Sequence, residues 1–211
     1  MEKMPKNTSE NQEEKPSIKE GVEFVFEQNP ELATIGTKEQ YEEYLETIFP
    51  ESITHEILYH NSNNKFDKFT RDFAYYQREK DKNRAFYFSS NKDFWKREYT
   101  YPVVLKIQNI ADSELKNNPE FIEVIEKLKK EGFDIGYETP ITIDNVISEI
   151  ERGSPYVFEI PEISKFCFEN NISYTTPEGG LTYAVFHPEQ IYILGSENDK
   201  DSFKQFVESK N

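Results

Sequence analysis

The sequence holds a single cysteine, Cys167, which excludes an internal disulfide and any cysteine-rich zinc site. Set in "ISKFCFENN", that cysteine reads as a small buried hydrophobe rather than a nucleophile. Histidine is nearly as scarce. The three present, His55, His60 and His187, have no Cys or carboxylate at ligand spacing, so the pattern offers no metal site. No G-x-x-x-x-G-K-[ST] loop, no G-x-G-x-x-G turn and no G-x-S-x-G elbow occurs, which removes the commonest phosphate-binding and serine-nucleophile devices.

Long apolar runs are missing too: no stretch reaches the roughly 20 residues of a membrane span. The opening "MEKMPKNTSENQEEKPSIKEG" lacks the apolar segment of a signal peptide. Residues 1–20 read as a disordered tail, with a cytoplasmic protein as the default reading. Positive charge is in short supply, 25 Lys and Arg against 40 Asp and Glu for a net charge of −15. That balance opposes loose binding to nucleic-acid phosphates. One segment runs the other way. Lys65 to Arg97 carries ten Lys/Arg against five Asp/Glu, a local +5 that either attracts an anionic small molecule or is a solvated charged loop.

What the chain has in quantity is aromatic residues, 15% of its 211, against 36% hydrophobic residues in all. One domain over residues 21–211, with a core built as much from Tyr and Phe as from aliphatics, is the reading that fits. "GVEFVFEQNPELATIG" suggests a short β-like piece and a loop. "TKEQYEEYLETIFP" is the clearest helix, with Tyr41, Tyr44, Leu45, Ile48 and Phe49 on one face, a capping box from Thr37 to Gln40, and Pro50 at its end. The carboxylates of this segment fall on the opposite, solvent face, where they serve solubility rather than acid-base work.

"ITHEILYH", "RAFYFSS" and "YPVVLKIQNI" read as strands, the last with Pro102 near its start. "NKDFWKREY" suggests a helix opened by Asn91. Three helices follow in "NPEFIEVIEKLKKEG", "TIDNVISEIERG" and "IPEISKFCFENN". "ISYTT" and "LTYAVFHPEQIYIL" return the chain to strands, and "DKDSFKQFVESK" closes it as a helix. Strands at both ends with helices between them predict an α+β fold around a mostly antiparallel sheet.

"GTKEQYEEYLETIFP", "ILYHNSNNKFDKF", "FYFSSNKDFW" and "YAVFHPEQIYILGSENDKDSFKQFVES" together resemble, in order and spacing, the ADP-ribosyltransferase fold. Closest in pattern is the PolyVal-like family, which occurs in phage and prophage polyproteins. The resemblance covers roughly residues 34 to 209. It implies a split sheet clamping NAD as substrate, with His60 on the adenosine-side ribose, the Asn61 backbone on the nicotinamide amide, and Tyr87 packed on the nicotinamide ring. It also implies ADP-ribose transfer to a macromolecular acceptor, a protein in the first place, by a toxin-like effector. The family pattern departs here in two places. His60 is followed by Asn61 where Gly is usual, and Asn tolerates positive φ better than most residues. The glutamate expected before "YAVF" is replaced by Thr182, which brings no negative charge to the transition state.

Each of these positions has a plainer reading beside the functional one. His60 is a ribose ligand or a strand-end histidine satisfied by a neighbouring backbone group. Tyr87 faces a cleft or packs in the core. Glu178 is the loop carboxylate that would stand in at the reacting ribose, with Glu189 beyond the strand as the other near one. Ser89 would bond the nicotinamide amide or simply end a strand. Tyr99 and Trp95 lie near a second stacking position, with core packing favoured for Trp95. Breaking a nicotinamide-ribose bond needs little proton transfer; positioning, a flat surface for the ring and negative charge near the developing cation are what help. The rival class is a catalytically inactive relative that binds NAD or a partner protein without turnover.

Overall fold

The computed structural model describes residues 18–72, 83–135, 139–177 and 181–210. The described residues open with α1 (Ile18–Gln28), where the alternation of Val22, Phe24 and Phe26 suggests a β-like piece. Packing decides otherwise. Val22, Val25 and Phe26 at i, i+3 and i+4 are buried together, and Gly21 lies so close to Ile57 that an added Cβ would stand 2.7 Å from the Ile57 Cβ. The helix also takes in the last three residues assigned to the tail. Next, α2 (Lys38–Leu45) begins at the expected capping box, the Thr37 hydroxyl accepting from Gln40 N–H and the Gln40 side chain from Thr37 N–H. It stops at Leu45, before Ile48 and Phe49, and Phe49 takes a left-handed φ of 53°.

Three strands come next, β1 (Leu58–Ser62), β2 (Phe86–Ser89) and β3 (Tyr99–Leu105). The first starts later than expected, leaving His55 exposed in a loop. Residues 91–95 form turns instead of a helix. The Asn91 Oδ1 does accept from Asp93 N–H, but Trp95 has a φ of 53°, which ends any helical run. The helical group comprises α3 (Pro119–Lys130), α4 (Ile143–Glu151), the short α5 (Tyr156–Glu159) and α6 (Pro161–Glu169). Asn118 and Thr142 cap the N-termini of α3 and α4 through side-chain oxygens. The chain ends in β4 (Tyr174–Thr176), β5 (Thr182–Val185), β6 (Ile191–Ile193) and α7 (Glu197–Lys210).

The strands make one six-stranded antiparallel sheet in the order β4-β5-β2-β1-β3-β6, so the fold is α+β as predicted. Pro102 sits mid-strand in β3 without loss. Its carbonyl accepts from Leu194 N–H at 2.9 Å, and the N–H it lacks would face the same way, just past the end of β6.

The sheet is weakly joined at its centre. β1 and β3 pair over five residues and β2 and β5 over four, but β1 and β2 share a single registered pair, Tyr59 with Ser89. The helices divide along the same seam. On one face α1, α2 and α7 cover β1, β3 and β6 through Tyr59, Val104 and Leu194, whereas α3 to α6 cover β2, β5 and β4 through Ala85, Ala184 and Tyr174. The opposite face carries a third cluster in which Leu58, Phe86, Phe88, Val103 and Leu105 meet. Beyond Tyr59, then, the two halves part.

Candidate functional site

A cleft of about 570 Å³ opens at this seam, lined by His60 and Asn61 from β1, Tyr87 from β2 and Ala85 just before it, Thr176 and Thr182 from β4 and β5, and Pro155, Tyr156 and Glu159 from the α5 region. Arg84, Trp95 and Arg97 complete the lining. Its volume lies within the roughly 300–1,000 Å³ range of small-molecule sites.

His60 fills the gap where the ladder between β1 and β2 stops. Its ring stands among Phe66, Phe69 and Phe88, with centroids 6.0, 5.0 and 5.6 Å away. Its Nδ1 lies 2.9 Å from the Tyr87 carbonyl oxygen. A carbonyl only accepts, so Nδ1 carries the proton and Nε2 remains as an acceptor. Burial lowers the imidazole pKa, partly opposed by the hydrogen bond to Tyr87, so the ring is held neutral. A side chain here replaces the missing backbone rung, and His60 enters the cleft lining as a result.

Tyr87 shares the cleft face with Ala85 and Ser89, and its hydroxyl accepts from Tyr174 O–H at 2.8 Å. The Tyr174 ring is stacked in turn on Phe158 at 3.8 Å. That chain of contacts fixes the Tyr87 ring against α5. Trp95 stands edge-on to it at 6.3 Å and is 44% exposed, so core packing does not describe it. Tyr156, 67% exposed, adds a third ring at the rim. Large exposed rings around a concavity are the surfaces on which planar ligands stack.

Asn61 acts mainly as a fastener. Its Nδ2 donates to the carbonyls of Lys92 and Phe94 at 3.0 and 2.8 Å, and its Oδ1 accepts from the Thr100 hydroxyl at 2.6 Å. This pins the turn that presents Trp95. The backbone of Asn61 is ordinary strand, with no left-handed φ.

The remaining candidates are less well gathered. Thr182 lines the cleft but is 1% exposed, paired with Ser89 across β2 and β5. Ser89 is itself 1% exposed and its hydroxyl accepts from Asn91 N–H; it lies under the cleft wall rather than in the lining. Tyr99 pairs with Ser62 at the far end of β3, away from the lining, and its hydroxyl pKa is raised by Glu98. Glu189 lies 3.8 Å from His187 on the 3-10 turn before β6. Glu178 falls outside the described residues.

Sequence reasoning marked the basic segment but not which of its residues reach the cleft, nor the acidic wall. Arg84 and Arg97 are the cleft's guanidinium groups, and both belong to the basic segment that the charge count singled out. Glu159 is the one carboxylate among the described lining residues, 3.5 Å from the Arg84 guanidinium. No local signal marked Glu159 or Tyr156.

A larger groove of about 880 Å³ runs between α3 and α6. Its walls alternate Glu120, Glu123 and Glu162 with Lys127 and Lys165, the pattern of two solvated helix faces, and it gathers no exposed rings. The buried Cys167 is also inert: loss of solvation pushes its thiol up to about 12. Among the described residues no helix is long and apolar enough to cross a membrane, and no three His, Cys, Asp or Glu are grouped to hold a metal ion.

The chain matches no protein-family model, no curated protein and no solved structure.

Proposed function

We propose that the cleft at the β1–β2 seam binds NAD and that the protein is an ADP-ribosyltransferase-like effector, moving ADP-ribose from NAD to a macromolecule. The single observation that carries this reading is the meeting of His60 and Tyr87, Nδ1 to carbonyl oxygen at 2.9 Å, at the edge of one cleft. The lining suits a dinucleotide. Trp95, Tyr156 and Tyr87 offer faces for flat rings, Arg84 and Arg97 offer charge for a pyrophosphate, and His60, in the lining, offers an imidazole for a ribose hydroxyl. A protein acceptor and a phage or prophage setting belong to the same reading and rest on the sequence resemblance; a cytoplasmic site of action is the default reading of the sequence.

Thr182 favours a second reading, a relative that binds NAD or a partner without turnover. At 1% exposed and pinned between β4 and β2, it leaves little room for a carboxylate at that position. The two readings separate in one experiment. Trp95 is the sole tryptophan, so its emission reports directly on the cleft. Titration with NAD should change that emission saturably, and incubation with labelled NAD and lysate should release nicotinamide or label a macromolecule. Binding without release selects the inactive reading. Neither binding nor release defeats both NAD readings and leaves only a partner-binding relative.

A further inference from the structure

Glu159 ends α5, a helix of only four residues whose place is set by burial of Val157 and Phe158. Its carboxylate, half exposed, meets the Arg84 guanidinium at 3.5 Å, so the one acid in the described lining is tied to one of its two cations. A partly exposed pair of this kind contributes little to stability, and screening by water leaves it easily exchanged. A pyrophosphate bridge offers a guanidinium a charge-assisted, two-pronged partner with two negative charges in all against the carboxylate's one. Any phosphate-bearing ligand entering the cleft therefore competes with Glu159 for Arg84.

We propose that the Arg84–Glu159 pair is a ligand-operated latch, in which a pyrophosphate takes over Arg84 and frees Glu159 to act as the catalytic carboxylate that position 182 does not supply. The inference rests on the reading of the cleft as an NAD site. Freed, the carboxylate offsets positive charge developing on the ribose. The bond from the anomeric carbon to the pyridinium nitrogen breaks with its electron pair on nitrogen, and nicotinamide leaves neutral. An acceptor lone pair makes the new bond to that carbon, and the acceptor's proton passes to Glu159 and then to water. Before a ligand binds, the carboxylate is neutralised by Arg84.

The test compares wild type with Glu159→Gln, using ADP-ribose as the binding probe, Trp95 emission as the readout and nicotinamide release from NAD as the rate. Glu159→Gln removes both a competitor for Arg84 and a like charge, so ADP-ribose should bind several-fold more tightly. Release should fall about 10²- to 10³-fold, the usual cost of losing an electrostatic partner to the transition state. Arg84→Gln should weaken ADP-ribose binding about tenfold or more. Unchanged or weaker binding in Glu159→Gln overturns the latch, and retained release overturns the catalytic role; in either case wild-type binding leaves the NAD reading standing. Wild-type binding with no release overturns the catalytic role as well. A wild type that binds neither NAD nor ADP-ribose removes the NAD reading and the latch together.

Discussion

Asp199 supplies the sharpest stability prediction. It lies in the first turn of α7, 0% exposed, with one carboxylate oxygen accepting from Tyr41 O–H at 2.5 Å and from Gly195 N–H at 2.6 Å. The other oxygen is buried without a partner. Tyr44 and Tyr192 also face it from α2 and β6, and Lys200 on its own helix is the nearby cation. Burial raises its pKa from 3.8 to about 6, against the pull of the hydrogen bonds from Tyr41 and Gly195. A carboxyl raised in the folded state favours the protonated form there. Its contribution is full below pH 4 and is lost as pH rises through about 6. At about 1.4 kcal/mol per pH unit, the loss is roughly 3 kcal/mol. Asp199→Asn keeps an acceptor for Tyr41 and Gly195 but cannot ionise. Urea unfolding of both proteins at pH 4 and pH 7.5 cancels the other carboxylates. The stability difference between variant and wild type should shift by roughly 3 kcal/mol in the variant's favour at the higher pH. Parallel stability curves, with that difference constant to within about 0.5 kcal/mol, would refute the reasoning.

Other perturbations separate packing from binding. Gly153 and Gly132 both have positive φ, 70° and 76°, but a Cβ at Gly153 would meet Pro177 Cδ at 2.5 Å whereas Gly132 faces open space. Gly132→Ala should therefore cost only the left-handed penalty of about 1–2 kcal/mol, and Gly153→Ala distinctly more, as read from urea midpoints. Replacing His60 by Leu should weaken NAD binding about tenfold in an emission titration and destabilise the chain by about 1–3 kcal/mol through loss of the buried hydrogen bond to the Tyr87 carbonyl. Because the His60 pKa is lowered, wild-type affinity should hold level as pH falls from 8 to 6.5 and decline only below the usual histidine range. Asn61→Ala should release the turn carrying Trp95, which a red shift of its emission would report.

Where local pattern and tertiary packing agree, the fold was legible in the sequence. The Thr37 capping box, the apolar faces of α3 and α4, and the alternation of Phe86 and Phe88 all state their surroundings in a few residues. α1 reads wrongly as a strand because Val22, Phe24 and Phe26 satisfy a two-residue period while Val22, Val25 and Phe26 satisfy a helical one. Only the contact of Gly21 with Ile57, far along the chain, resolves the two. The turn at residues 91–95 reads wrongly as a helix for the same kind of reason, since Asn61 holds it from another strand. At the site, His60, Tyr87 and Thr182 stood out through the family resemblance, with His60 and Thr182 also marked by the strand ends on which they fall. Glu159 and Tyr156 did not, because a four-residue helix carries no periodicity and its place is fixed by Phe158 stacking on Tyr174.

The most direct measurement is a crystal structure of the protein soaked with NAD. The account predicts the dinucleotide across the β1–β2 seam, a ribose hydroxyl on the His60 Nε2, its flat rings against the aromatic walls, and the pyrophosphate on Arg84 with Glu159 released. Density for NAD in the groove between α3 and α6, or an empty seam at millimolar NAD, would contradict it.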